Sequence, residues 1–126
     1  YCIDHWSRAL DIDIAQLHRD EAHRIGWLPG ARGFLDHIRE RGKRLVLLTN
    51  SHPVTLAIKH EHTGVLDWFD AAFSSQQFGA PKEDQKFWVA ARAAEPFDPA
   101  RAVFCDDSTA VLHAARVAGV RWVYAV

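Results

Sequence analysis

The stretch Ala102-Val103-Phe104-Cys105-Asp106-Asp107-Ser108 decides the fold. An apolar run of this kind reads as a buried parallel strand. It ends in two adjacent carboxylates, and ligands of open α/β sheets bind beyond the carboxyl ends of the strands. Two acids placed side by side repel each other unless a cation or a proton lies between them, and hard oxygen donors favour Mg²⁺. One reading of Asp106-Asp107 is therefore a metal site. The other is that Asp107-Ser108 only caps the following helix. The second cysteine, Cys105, is expected to lie at a buried strand end.

Working outward, Arg44-Leu45-Val46-Leu47-Leu48-Thr49-Asn50-Ser51 is a second apolar strand, ending in a hydroxyl, an amide and a hydroxyl. His52-Pro53 then opens a helix, with Pro53 suited to its first turn. A strand end that feeds a helix N-terminus offers N–H groups and a favourable dipole to an anion; ordinary Asn/Ser capping of the helix 53–61 is the competing reading. Gly79-Ala80-Pro81-Lys82 sets a lysine on a rigid turn before a helix over 83–94, where a lysine is otherwise simply solvated.

The remaining elements alternate in the same way. Helix 31–41 has Phe34, Leu35 and Ile38 on one face and Gly42 as its stop. A short strand is predicted over 71–74, a helix over 109–118 and a final strand over 121–126. Strands alternating with helices predict a parallel sheet with right-handed crossovers. Residues 1–27 read as two short helices rich in His, Arg and Asp, set off by the breaker Leu28-Pro29-Gly30.

The order strand-Thr, Pro-Lys, strand-Asp-Asp-Ser resembles motifs II, III and IV of the haloacid dehalogenase-like hydrolase superfamily, mostly Mg²⁺-dependent phosphatases. Within it, the chain is similar to bacterial purine 5′-nucleotidases acting on GMP and IMP. The stretches that carry this are Tyr1-Cys2-Ile3-Asp4, Trp6-Ser7, Leu48-Thr49-Asn50-Ser51-His52-Pro53, Lys59-His60-Glu61-His62-Thr63-Gly64 and Phe78-Gly79-Ala80-Pro81-Lys82-Glu83-Asp84-Gln85. The resemblance implies an α/β Rossmannoid parallel sheet with flanking helices, with 1–27 as the C-terminal part of a helical cap and 28–126 as an incomplete core. It also implies that Asp106 and Asp107 hold Mg²⁺, that Thr49 and the Asn50 N–H bind phosphate, and that Lys82 offsets charge on the nucleophile and phosphoryl group. The substrate is then a small phosphomonoester, cleaved through an aspartyl-phosphate.

The superfamily's first motif is an apolar strand ending Asp-x-Asp-x-Thr/Val. Asp11-Ile12-Asp13-Ile14-Ala15 has its spacing, but Trp6-Ser7-Arg8-Ala9-Leu10 is no buried strand, and Asp11 or Asp13 is expected to cap a helix running to Ile25. The nucleophile is thus expected outside this chain, which has no Met among its 126 residues, and the chain alone is expected to be inactive. In the superfamily that motif strand lies between the strands ending at Thr49 and Cys105, so these two are not expected to pair directly.

Composition narrows the partners. Fifteen Lys and Arg against sixteen Asp and Glu leave a net charge of −1, with no basic stripe for a nucleic acid polymer. No signal peptide or apolar span appears, so the cytoplasm is the expected compartment and no membrane partner is expected. His60-Glu61-His62 diverge at i and i+2, and His18 and His23 lack an acid or Cys at metal spacing, so zinc is not expected. The five tryptophans read as packing residues rather than stacking platforms. Two other functions remain open: a haloacid dehalogenase, which needs no paired acids, and a non-catalytic member binding phosphate or a partner. A response-regulator receiver carries its acids first and its Lys last, the reverse of this order.

Overall fold

The computed structural model describes Cys2–Val126; Tyr1 lies outside the described residues. The chain forms two compact units, Tyr1–Ser74 and Ser75–Val126 by their bounds. Each is built on one parallel β-α-β crossover.

The first unit opens with helix α1 (Ile3–Leu10) and helix α2 (Ile14–Asp20), followed by a single 3₁₀ turn over Ala22–Arg24. Asp11 takes a left-handed conformation (φ 53°) that closes α1, and the Asp13 carboxylate accepts the Gln16 N–H at 2.8 Å as the N-cap of α2. Asp11-x-Asp13 is thus a pair of helix-end groups, as its sequence context implies. The helix it caps stops at Asp20 rather than Ile25, because Glu21 turns the chain into the 3₁₀ segment.

Helix α3 (Ala31–Glu40) leads to strand β1 (Val46–Thr49), helix α4 (Pro53–Thr63) and strand β2 (Ala71–Ser74). On α3 the half-buried positions are Ala31, Leu35 and Ile38, at helical spacing; Phe34 is exposed, against the expectation that it shares their face. β1 and β2 pair in parallel from Val46 opposite Ala71 to Thr49 opposite Ser74. Gly64, at φ 64°, ends α4 in the left-handed region that an L side chain seldom adopts. Arg32 sits over both the Trp27 and Trp68 rings, 5.9 and 5.2 Å from their centroids, and the two indoles meet edge to face at 5.0 Å. Their N–H groups are spoken for, by the Thr63 carbonyl at 3.1 Å and the Asp36 carboxylate at 2.7 Å.

The second unit comprises a short helix α5 (Ser75–Phe78), helix α6 (Gln85–Ala94), strand β3 (Val103–Asp106), helix α7 (Thr109–Val117) and strand β4 (Trp122–Ala125). β3 and β4 are parallel, Val103 opposite Trp122 and Asp106 opposite Ala125. No ladder joins this pair to β1–β2 among the described residues. The core is aromatic. Phe78, Phe87, Trp88 and Phe104 follow one another edge to face, with centroids 5.4, 5.6 and 5.0 Å apart. Val111, Ala114 and Ala115 of α7 are buried against β3 and β4.

β3 departs from the expected fully buried strand. Val103 and Cys105 are exposed while Phe104 is half-buried and Asp106 buried. Successive strand residues face opposite sides, and one side of this pair carries α7 and Trp88 while the other presents Val103, Cys105, Trp122 and Tyr124 to solvent. Cys105 is therefore exposed, not buried. Packing around its thiol still raises its pKa from the ordinary value by desolvation.

Two outcomes follow. Phe87 has no exposed surface, so Phe87→Ala should cost about 3–5 kcal/mol in urea denaturation, whereas Phe34→Ala, on an exposed site, should cost well under 1 kcal/mol. Because the thiolate is the nucleophile, Cys105 in a Cys2→Ser background should react with iodoacetamide at neutral pH more slowly than a free thiol. The rate should rise to meet it only as pH climbs through the raised pKa.

Candidate functional site

Lys82 and Asp106 meet in the second unit. Lys82 leaves the turn after Gly79 (φ 63°) and Pro81, and its ammonium nitrogen lies 2.5 Å from Asp106 Oδ2. Both residues are 9% exposed, so the pair is held out of bulk water. The surroundings define both partners. The Trp88 indole N–H donates to the Lys82 carbonyl at 2.8 Å, and the Phe104 ring lies 5.9 Å from the ammonium. The Ser108 N–H donates to Asp106 Oδ1 at 3.0 Å. Trp88 thus anchors the lysine's backbone on α6, and the turn after β3 anchors the carboxylate.

Asp106 closes strand β3 itself, one residue beyond the expected strand end, and Asp107 follows as an exposed acid. Helix α7 is capped by Ser108, whose hydroxyl oxygen accepts the Val111 N–H at 3.5 Å. The capping reading is correct for Ser108 and not for Asp107. Asp106 and Asp107 offer only oxygen donors, and each Asp106 oxygen keeps a lone pair beyond its single protein partner. Mg²⁺ suits such a set, since it is held by one or two carboxylates and fills its other positions with water and phosphate oxygens.

Thr49 and Asn50 lie in the first unit. Thr49 closes β1 and its hydroxyl oxygen accepts the Ser51 N–H at 3.0 Å; the Ser51 carbonyl in turn accepts from the Ser74 hydroxyl at 2.7 Å. The β1–α4 turn is thereby tied to the end of β2. The N-cap of α4 is His52, not Asn50 or Ser51: its Nδ1 accepts the Val54 N–H at 3.4 Å. Pro53 occupies the first helical turn as expected.

Beside this turn opens a cleft of about 430 Å³. Asn50, Ser51 and His52 form one side, and Ile3, Trp6 and Ile14 form an apolar wall. His18 and Thr55 complete it, hydrogen-bonded to each other at 3.0 Å between Nδ1 and Oγ1. Trp6 is 51% exposed, unusual for so large an aromatic. Sequence reasoning missed this cleft, because α1 and α2 reach the β1–α4 turn through long-range contacts, the packing of α2 on α4 and the approach of Asp4 to His52.

His52 also comes near Asp4 and Cys2, whose donor atoms all lie within 4.8 Å of one another and of the imidazole. His52 Nδ1 accepts the Val54 N–H, and its Nε2 lies 3.7 Å from Asp4 Oδ2, a polar contact between α1 and the N-cap of α4. The histidines singled out in the sequence have partners of their own: His23 Nδ1 lies 3.1 Å from the Asp20 carbonyl, and His60 Nδ1 accepts from Leu66 N–H at 3.3 Å.

Of the groups singled out in the sequence, Lys82 and Asp106 meet within the second unit, and Thr49 closes β1 in the first. The family model for haloacid dehalogenase-like hydrolases matches residues 8–119. The chain belongs to the haloacid dehalogenase-like hydrolase family. It is 40% identical over 122 residues to the GMP/IMP nucleotidase YrfG of Escherichia coli, covering 97% of this chain and 55% of that protein. The GMP/IMP nucleotidase of Shigella flexneri matches equally, at 40% over 122 residues. A phosphatase of Mycobacterium tuberculosis is 30% identical over 122 residues, 91% of this chain and 56% of its own length. The chain thus spans about half the length of the curated relatives it matches. Among the described residues, no helix is long and apolar enough to cross a membrane.

Breaking the buried pair leaves an uncompensated charge. Lys82→Ala should therefore destabilise the fold by about 3–5 kcal/mol, read as a lower urea midpoint, and the double variant Lys82→Met/Asp106→Leu should recover much of that loss.

Proposed function

We propose that the whole protein is a Mg²⁺-dependent phosphomonoesterase of the haloacid dehalogenase-like type, acting on a purine nucleoside 5′-monophosphate. The observation that carries the reading is the Lys82–Asp106 pair: a buried ammonium joined to a carboxylate at a strand's carboxyl end, followed by an exposed second acid. The purine preference rests on the names of two relatives at 40% identity.

Asp106 and Asp107 are the residues that would hold Mg²⁺. Bound there, the ion supplies Lewis-acid stabilisation of a phosphoryl oxygen. Lys82 opposes the negative charge that builds on the phosphoryl group, and a compact ammonium does this without competing geometry. Its partner Asp106 keeps the ammonium in place before substrate arrives, so no reorganisation is needed as charge develops. Thr49 supplies a hydroxyl donor and Asn50 a backbone N–H donor for phosphate oxygens, beside the N-terminus of α4.

The attacking group in this scheme is a carboxylate that forms an aspartyl-phosphate. Asp11 and Asp13 do not supply it, since both are helix-end groups rather than strand-end groups. Residues 1–27 act in this scheme as the end of a cap that selects the substrate, and the cytoplasm is the compartment where nucleoside monophosphates meet such an enzyme.

Assay of the complete gene product with phosphomonoesters and Mg²⁺ tests the proposal. GMP and IMP should be hydrolysed with higher kcat/KM than ribose 5-phosphate, and chelation should abolish turnover. Lys82→Ala should lower kcat by roughly 10²–10³-fold, and Asp107→Ala should raise the Mg²⁺ concentration needed for half-maximal rate. Equal activity with and without chelator would sink the metal assignment. Sugar phosphates outpacing GMP and IMP tenfold would sink the purine assignment and leave phosphomonoesterase activity standing.

A further inference from the structure

We propose that Cys2, Asp4 and His52 form a binding site for a zinc-class divalent metal, joining helix α1 to the turn that opens α4. Their donor atoms all lie within 4.8 Å of one another. Cys2 is the N-cap residue of α1 and Asp4 lies in its first turn, while His52 is the N-cap of α4. Cys2 and His52 are far apart in the chain and meet only by folding, so no sequence spacing shows the group. A tetrahedral zinc centre with bonds of about 2.0–2.3 Å sets neighbouring ligand atoms roughly 3.3–3.6 Å apart. The edge from His52 Nε2 to Asp4 Oδ2 is 3.7 Å, and the Asp4 side chain, 72% exposed, has room to close the remaining distance.

The donor set decides which ion. A thiolate and an imidazole select zinc-class ions, whereas Mg²⁺ is held by oxygen donors. Charge agrees: the thiolate and the carboxylate together neutralise a divalent ion, and the N-terminal end of α1 favours both anionic forms. Cys2 is a free thiol whose side chain does not cap the helix it begins. The imidazole is the anchored member of the group, 13% exposed. With a metal on Nε2 the ring proton lies on Nδ1, so the Val54 N–H gives up a contact that is already long, at 3.4 Å. Val54 is an exposed residue of the first helical turn, where water takes over such an N–H. Three protein ligands leave the fourth position to water, and the bound ion ties α1 to the β1–α4 turn.

Cobalt substitution in the complete protein reads this site without any turnover. Co²⁺ bound here should give a near-ultraviolet thiolate charge-transfer band that equimolar Zn²⁺ removes and excess Mg²⁺ leaves in place. Cys2→Ser should abolish the band, and Cys105→Ser should leave it unchanged. Competition with a chromophoric chelator should show Zn²⁺ affinity falling roughly tenfold or more in Asp4→Asn and in His52→Ala. Asp4 is exposed, so its substitution costs little stability and its effect reads coordination. A band that is absent from the wild type, or that persists in Cys2→Ser, would overturn the proposal. So would a Zn²⁺ affinity that neither Asp4→Asn nor His52→Ala changes, which would place the ion elsewhere on the protein.

Discussion

The second unit depends on a lysine ammonium and an aspartate carboxylate kept together where water is largely excluded. Removing two charges from water costs several kcal/mol per ion, and only close geometry with further hydrogen bonds offsets it. The surroundings of Lys82 and Asp106 supply both. Trp88 fixes the lysine's carbonyl, Ser108 fixes the second carboxylate oxygen, and the aromatic run from Phe78 to Phe104 fills the space beneath. Replacing the pair by apolar side chains of similar volume is often close to neutral, whereas removing one partner leaves an uncompensated buried charge.

The same economy of contacts organises the first unit. The β1–α4 turn is held by Thr49, by Ser74 through the Ser51 carbonyl and by His52 as the cap of α4. A turn fixed at three points presents its amides in one arrangement, which an anion site requires. Trp27 and Trp68 clasp Arg32 on the same unit and satisfy their indole N–H groups within it, so they stiffen the scaffold. Trp6 has a different setting: it is half open and lines a cleft. The five tryptophans are therefore not one class, and their side-chain environments alone separate them.

The curated relatives share one domain's worth of sequence with this chain and carry names of two kinds, nucleotidase and phosphatase. In this chain Thr49 and Asp106 close strands β1 and β3, whereas the apolar wall of the cleft comes from α1 and the start of α2.

Much of this was legible in the residues themselves. Apolar runs of four to six residues ending in Thr49 or Asp106, each followed by a helix start, dictate strand-turn-helix units, because backbone hydrogen bonding and side-chain period are local properties. The capping roles of Asp13 and Pro53 follow from the same local physics. The sequence also marked Lys82 and Asp106 as members of one site, although the contact that joins them spans 24 residues and depends on the turn at Gly79 and the packing of Trp88. Exposure was beyond its reach as well. Cys105 and Phe34 look like core residues in a one-dimensional pattern, and which side of a two-stranded sheet or helix is covered is settled by neighbouring elements. The cleft at Trp6, His18 and Thr55 belongs to that second kind. It forms where α2 packs on α4 and Asp4 of α1 approaches His52, contacts between side chains far apart in the chain.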